Sequence, residues 1–503
     1  MSSPAEAIFR VPPFPGARPA PITHNRRQGT LASAAHVITA LREGRVGGAF
    51  WAPDDLWSAP DHLVQAPGDD PHLLLAAIAG KSVQALSNGA FAALSALSPG
   101  RTETEKLIEE LVTRHLLETT DFADPFTGEP TTVLALVQTL AGWRRLIDAN
   151  RPIAAAFGFA HWKRDTVDPL LWAGRPVPFR TASSDSFRDL PRGATIAVWK
   201  ARIPATILAE IEAGPWHVTE VEDGFIRSTG LGADCVPPLS IVVDDLGVHY
   251  DPLRPNRLEE MLIAGESSAA DLDRARRLRE WLVREGVSKY GVGGGAPLPR
   301  EGGDRRHLLV VGQVEDDRSV VFGGSGLQSN LELLRRVRAS APDAWIVYRP
   351  HPDVEAGHRR GAIPPGMALE VADSIDPGNP ISALIAMVDE VHVITSLAGF
   401  EALLQGKSVV THGSPFFAGW GLTRDLGRPL PRRNKTLSID QLAAAVLLRY
   451  PRYLDPLTNL PCTPEILVMR LLSGVQRRNV ALVPLRRLVG RIRRAFAQFV
   501  GPR

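Results

Sequence analysis

The sequence predicts an α/β protein, and three observations carry that prediction. Short apolar runs rich in Val and Ile recur, as in "ATIAVWK" (194–200), "LSIVVDD" (239–245), "HLLVVGQ" (307–313) and "AWIVYRP" (344–350). Most lead into helix-like patterns such as "SSAADLDRARRLREWLVREG" and "SNLELLRRVRAS". A glycine-rich stretch, "SKYGVGGGAPLPREGGD" (288–304), then breaks this series into halves near residue 300. Strands alternating with helices pack as parallel α/β layers, and glycine-rich punctuation reads as a hinge.

A chain of 503 residues should hold more than one domain. Its 44% hydrophobic and 22% charged content is that of an ordinary globular protein. The two cysteines, Cys235 and Cys462, lie far apart without metal spacing, which argues against a disulfide framework or a zinc site. No signal-peptide pattern opens the chain, and no window approaches 18 uninterrupted apolar residues. The expectation is a cytoplasmic protein.

Residues 1–28, rich in Pro, Arg and Ala, read as a disordered leader. Residues 29–150 read as one copy of an internal repeat. "FADPFTGEPTT" from Phe122 returns as "YLDPLTNLPCT" from Tyr453, at an offset of 331. "LSNGAFAAL" (86–94) resembles "TSLAGFEAL" (395–403), with Ala92 at the position of Glu401. The first copy keeps the apolar frame and loses the polar residues, so it is expected to be a degenerate, inactive partial module. Residues 151–300 and 301–478 form the two halves of the second copy, and 479–503 a basic tail.

Five segments of the second copy carry candidate chemistry. In "VEDGFIRSTGLG" (221–232), Glu222 and Asp223 stand before a glycine at a strand end, and Arg227 offers a bidentate fork for a sugar carboxylate. In "YRPHPDVEAG" (348–357), Arg349 and His351 follow a predicted strand, where ligands gather on open sheets, and Pro350 and Pro352 stiffen the loop. That pair is suited to neutralising a leaving phosphate. In "VITSLAGFEALLQG" (393–406), the Thr395 and Ser396 hydroxyls and free helix-terminal amides form an anion site, with Glu401 in reach of ribose hydroxyls. In "VVGQVEDDRSVVFGGSG" (310–326), Gln313 and the glycines can approach a nucleotide closely. In "PFFAGWGLTRD" (415–425), aromatics set among glycines are expected to shape a pocket. The first four have plainer readings: an Asp-Gly turn, a structural histidine, an ordinary N-cap and a solvated acidic turn. A carboxylate facing a phosphate-binding histidine across a cleft is the pairing expected when a glycosyl group leaves a nucleotide.

These blocks together resemble the capsule polysaccharide β-Kdo transferase family, the KpsC/LipB type. The matching segments are 221–251, Ser288 to Tyr290, 312–317, 348–353, 395–404 and 413–425. The resemblance implies a GT-B-like pair of Rossmann-type lobes facing a cleft, plus the partial module at the amino terminus. It implies transfer of Kdo, 3-deoxy-D-manno-oct-2-ulosonic acid, from CMP-β-Kdo with retention of configuration. Asp223 would be the nucleophile of a double displacement, and Arg349, His351 and Ser396 would hold the CMP phosphate. No metal and no cofactor beyond the donor are implied. Departures occur at Arg349, Phe417, Gly291 and His249, where the family carries Lys, Tyr, Asn and Tyr.

The last segment, "RRNVALVPLRRLVGRIRRAFAQFVGPR" (477–503), holds eight arginines and no acid. As a basic amphipathic helix it would lie on an anionic membrane, which suits a lipid-linked acceptor, for example one built on phosphatidylglycerol. The expected place is the cytoplasmic face of the inner membrane, alongside other capsule assembly or export proteins, with no nucleic-acid partner. Two alternatives stay open: a CMP-dependent transferase of another ulosonic or nonulosonic acid, and a non-catalytic capsule assembly scaffold.

Overall fold

The computed structural model describes residues 3–25, 32–60, 62–228, 236–265, 267–289, 291–293, 297–357 and 359–475. They divide into two compact units. The basic tail and residues 294–296 of the glycine-rich stretch lie outside the described residues, as does Cys235.

The first unit comprises Met1–Ala154 with Asp168–Pro178 and Leu457–Pro461. Its strands are β1 (Thr23–Asn25), β2 (Val64–Ala66), β3 (Val83–Ala85), β4 (Thr120–Ala123) and β5 (Pro130–Thr131). They form a three-stranded sheet ordered β1-β4-β5 and a parallel β2-β3 pair. Helix Val133–Asn150 starts where the Thr132 hydroxyl accepts the Ala135 N–H, at 3.1 Å. Its apolar stripe, Leu136, Leu140 and Ile147, is buried with Val37 and Leu41 of helix Ala34–Gly44.

The amino-terminal leader departs from expectation. Residues 3–25 are built into this unit: Pro4–Ile8 is a capped helix, and β1 pairs antiparallel with β4. Ala5, Ile8, Phe9 and Phe14 are each at most 3% exposed. Four buried apolar side chains outweigh the disorder that the surrounding prolines suggest.

The second unit comprises Ala155–Val167, Phe179–Pro456 and Cys462–Arg503. Its elements include β6 (Ile153–Phe157), β7 (Phe179–Arg180), β8 (Thr195–Val198), β9 (His217–Asp223), β10 (Ser240–Asp244), and the hairpin β11 (Val287–Ser288) with β12 (Gly291–Val292). Then come β13 (His307–Val311), β14 (Trp345–Arg349), β15 (Ser374–Ile375), β16 (Glu390–Val393), β17 (Ser408–Thr411), β18 (Arg424–Asp425), β19 (Pro451–Leu454) and β20 (Pro461–Cys462).

Two large sheets result. One runs β15-β14-β13-β16-β17-β18 with every pair parallel. Counted from β13, this is strand order 3-2-1-4-5-6, the doubly wound Rossmann arrangement. Its switch point lies between β13 and β16, whose core residues Leu308, Leu309, Val310, Val391 and Val393 are fully buried. The other sheet runs β20-β19-β10-β9-β8-β6-β7. It is mixed, because β10 pairs antiparallel with both β9 and β19. The expectation of two Rossmann-type sheets therefore holds for the second half of this unit only.

The repeat is visible in backbone geometry. A five-residue N–H to C=O bond, Glu118 to Thr113 at 2.9 Å, precedes β4, and Tyr450 to Ala445 at 3.0 Å precedes β19. Each copy continues as two short strands and a helix. Gly128 and Asn459, 331 apart, both adopt a positive φ, 75° and 56°. Asparagine tolerates this left-handed turn better than most side chains.

Candidate functional site

Strand β9 ends in Glu222 and Asp223, in register with Val242 and Ile241 of β10. The glycine that follows is there for packing. A Cβ on Gly224 would collide with the backbone and side chain of Ser240, and the Gly224 N–H donates to Ser240 O at 3.0 Å. Close strand approach thus accounts for the glycine, and leaves the two acids to be explained by their surroundings.

Both Asp223 oxygens meet cations. Oδ1 lies 3.2 Å from Lys163 Nζ and Oδ2 lies 2.7 Å from Arg227 Nε. Burial opposes ionisation of Asp223, but Arg227, Lys163 and Lys289 outweigh it and hold the carboxyl well below its usual range. Glu222 behaves oppositely: burial, reinforced by the Asp223 charge, pushes its carboxyl up to about 7. Its Oε1 accepts the Asp223 N–H at 2.9 Å.

Arg227 does not offer the open fork expected of it. It is 1% exposed. Nε is on Asp223, Nη1 donates to Ser228 Oγ and Nη2 to Val236 O, both at 2.8 Å. The guanidinium is a fixed brace behind the acid.

At the carboxyl end of the parallel sheet, Gln313 follows β13 and Thr395-Ser396 follow β16, so both flank the switch point. Gln313 Oε1 accepts the N–H groups of Ile394, Thr395 and Ser396 at 3.0, 2.8 and 3.1 Å. Its Nε2 donates to Thr395 Oγ1 at 2.9 Å. The amides between the strand and the helix are thus spent on Gln313, and of the helix-terminal amides expected for an anion, Ala398 N–H donates to Ser396 Oγ at 3.3 Å and Gly399 N–H to Ser396 O at 3.0 Å. The Thr395 and Ser396 side chains still line the cavity described below.

His351 caps the short helix Pro352–Glu355, its Nδ1 accepting the Asp353 N–H at 3.1 Å. That bond leaves the ring proton on Nε2. Burial pushes the imidazole down to about 4, so at neutral pH it carries no charge and has its Nε2–H to offer as a donor. Arg349 Nη1 donates to Asp376 O at 2.9 Å. Neither Arg349 nor Pro352 is among the described residues that line the cavity.

Glu401 also sits elsewhere than expected. Its Oε1 accepts the backbone N–H of Lys289, at the tip of the β11–β12 hairpin, at 2.9 Å. Burial pushes this carboxyl up to about 7. It anchors the hairpin and is not among the described cavity-lining residues. Phe417 and Trp420 are likewise fully buried core, and only Pro415 and Phe416 of that loop reach the cavity.

The acids of the turn after Gln313 each have a structural partner, and Asp316 and Asp317 also line the cavity described below. Glu315 accepts the Asn330 N–H at 2.8 Å, Asp316 pairs with Arg359 at 3.1 Å, and Asp317 caps the helix Arg318–Gly323.

One cavity of about 800 Å³ brings these groups together. Glu222, Asp223 and Arg227 line it from the mixed sheet, and Gln313, His351, Thr395 and Ser396 from the parallel sheet. Residues that the sequence reading missed complete it. Lys163 stands over Trp199 with Nζ 3.3 Å from the ring centroid. Lys289 projects from the hairpin, and Arg318 Nε donates to Tyr250 Oη at 3.1 Å. Lys163 lies in the first turn of the helix that follows β6. Position beyond a strand's carboxyl end was the available signal.

The fold and the cavity define a class: an α/β protein with a cleft at a Rossmann switch point, both of whose walls carry carboxylates and cations, with the neutral donors His351, Thr395 and Ser396 on the parallel-sheet side. The capsule polysaccharide biosynthesis protein family matches residues 195–290 and 298–453, and the chain belongs to it. The chain is 37% identical to the capsule polysaccharide modification protein LipA of Neisseria meningitidis serogroup B over 76% of its length and 54% of LipA. It is 40% identical to the lipopolysaccharide-processing protein LpsZ of Rhizobium meliloti over 60% of its length and 70% of LpsZ. Thus the chain spans about half the length of the LipA relatives it matches. Similar solved structures include two from Thermosulfurimonas dismutans KpsC. The β-Kdo 2,7 transferase has a TM-score of 0.52 at 35% identity, covering 64% of this chain and 98% of its own. The β-Kdo 2,4 transferase has a TM-score of 0.53 at 27% identity, covering 63% and 98%.

Proposed function

We propose that this chain is a glycosyltransferase that moves Kdo from CMP-β-Kdo to a lipid-linked or polysaccharide acceptor with retention of configuration. The observation that carries the reading is the shared cavity, with Asp223 and Glu222 on one wall and His351 and Ser396 on the other. The similarity to two β-Kdo transferase structures supports the same reaction class. In this reading the two sheets of the second unit act as GT-B-like lobes.

The mechanism follows from the two acids. Asp223 is ionised, and its remaining lone pairs attack the anomeric carbon. The carbon–oxygen bond to the CMP phosphate breaks, and the phosphate leaves with the electron pair. His351 Nε2–H and the Ser396 hydroxyl donate to that phosphate, with Lys289 and Arg318 supplying positive charge. In the second step an acceptor hydroxyl attacks the same carbon, the Asp223 carboxylate departs, and Glu222 takes the hydroxyl proton. Two inversions give net retention. The cationic side chains do the work that a metal does elsewhere, so no metal is needed.

The test is incubation of the purified chain with CMP-Kdo and a phosphatidylglycerol-based glycolipid, read by product mass and by anomeric configuration in NMR. Asp223→Ala should abolish transfer and retain CMP binding. Transfer from CMP-sialic acid and none from CMP-Kdo would reassign the donor. No transfer from either would reject the enzymatic reading.

A further inference from the structure

In a 2-keto sugar acid the carboxylate is bonded directly to the anomeric carbon. A carboxylate nucleophile attacking that carbon therefore brings two negative charges into close range. Like charges in a buried site repel strongly unless a cation touches both. Arg227 cannot fill that place, because its fork is committed to Asp223, Ser228 and Val236 and it is 1% exposed.

Lys163 has the required geometry. Its Nζ already contacts Asp223 Oδ1 at 3.2 Å inside the cavity. The ammonium carries three protons on a flexible stem. One is directed at Asp223, and the ring face of Trp199, 3.3 Å below, takes a second. An aromatic floor holds the cation in place and, unlike a second carboxylate, does not compete for an incoming anion.

Resting on the proposed ulosonic-acid donor, we infer that Lys163 bridges Asp223 and the carboxylate of the sugar, making it the residue by which the cleft selects acidic over neutral sugars. Lys163 is then a direct substrate contact as well as a brace for the nucleophile.

The experiment compares CMP-Kdo with its C1-carboxamide analogue on wild type, Lys163→Met and Lys163→Arg, reading kcat/KM for each donor. Wild type should prefer the carboxylate by about 100-fold, the scale of one charge-assisted hydrogen bond. Lys163→Met should lose most of that preference, with the loss concentrated on the carboxylate donor, while Lys163→Arg retains it. Calorimetric CMP affinity matching wild type, together with thermal melting, reports that each variant is folded. An equal loss on both donors in Lys163→Met would mean that Lys163 acts only through Asp223, and would overturn the inference while leaving the proposed function intact. A wild-type chain inactive with both CMP-Kdo and CMP-sialic acid would remove both.

Discussion

Glu222 and Asp223 are neighbours in the chain, yet the fold drives their acidities in opposite directions. Burial and the Asp223 charge push Glu222 up to about 7. Arg227, Lys163 and Lys289 overcome the same burial at Asp223 and keep it ionised. A pair of carboxyls split in this way can divide one reaction into a nucleophile and a proton acceptor.

The pH dependence of transfer follows. In the proposed transfer Glu222 is the base and works only when ionised, so kcat should rise with pH and level off above about 7, the value set by burial. Glu222→Gln should lower kcat by roughly 10²–10⁴ and remove that rising limb. A pH–rate profile of the variant that keeps the wild-type rise would assign the limb to another group.

Gln313 is predicted to matter through the loop it holds. Its carboxamide oxygen serves three consecutive N–H groups, and Gln313→Ala would strand them. Ser396 would then lose its fixed position at the cavity. CMP affinity measured by calorimetry should fall by about 10-fold or more, on the scale of one to two lost hydrogen bonds. His351→Ala should weaken CMP to a similar degree, and wild-type affinity there would reject its phosphate role.

Arg227→Lys should fail as a conservative change. Lysine is a point charge and cannot reach Asp223, Ser228 and Val236 together, as the arginine fork does. The expected cost is about 2–4 kcal/mol of stability, since buried groups lose their partners. Denaturant unfolding checks this, and a midpoint equal to wild type would contradict the brace.

The parallel sheet was legible because doubly covered strands read as unbroken apolar runs, as in "HLLVV" and "WIVYR". The two-residue strands β15 and β18 carry no such signal. Gln313, Thr395 and Ser396 were recognisable as site residues, but their division of labour was not. The bonds that consume the 394–396 amides come from a residue about 80 positions away. Lys163 escaped notice for the same reason. What marks it is Trp199 below and Asp223 beside it, and neither is near it in sequence. The leader misled because proline content suggests disorder, whereas Phe9 and Phe14 decide its burial.

The arginine-rich segment 477–503 gives a prediction from sequence alone. Each basic residue near an anionic surface contributes about 1 kcal/mol. Deleting 480–503 should release the protein from inner-membrane fractions and leave activity on a soluble acceptor unchanged. Continued sedimentation of the truncated chain with membranes would assign the anchoring elsewhere. Among the described residues no helix is long and apolar enough to cross a membrane.

Glu401 makes a prediction about stability that is independent of catalysis. Burial raises its carboxyl from an ordinary 4.5 to about 7, although the Lys289 N–H and charge pull the other way. The folded state therefore binds this proton more tightly than the unfolded state. Its stabilising contribution is full below about pH 4.5 and is lost as pH rises through 7. Above that pH the fold carries a buried charge at a cost of roughly 1–3 kcal/mol. Glu401→Gln keeps an oxygen to accept the Lys289 N–H and cannot ionise. Its melting temperature should match wild type near pH 5 and exceed it by roughly 2–6 °C at pH 8. A variant less stable than wild type at pH 8 would show that the attraction between the Glu401 charge and Lys289 outweighs burial.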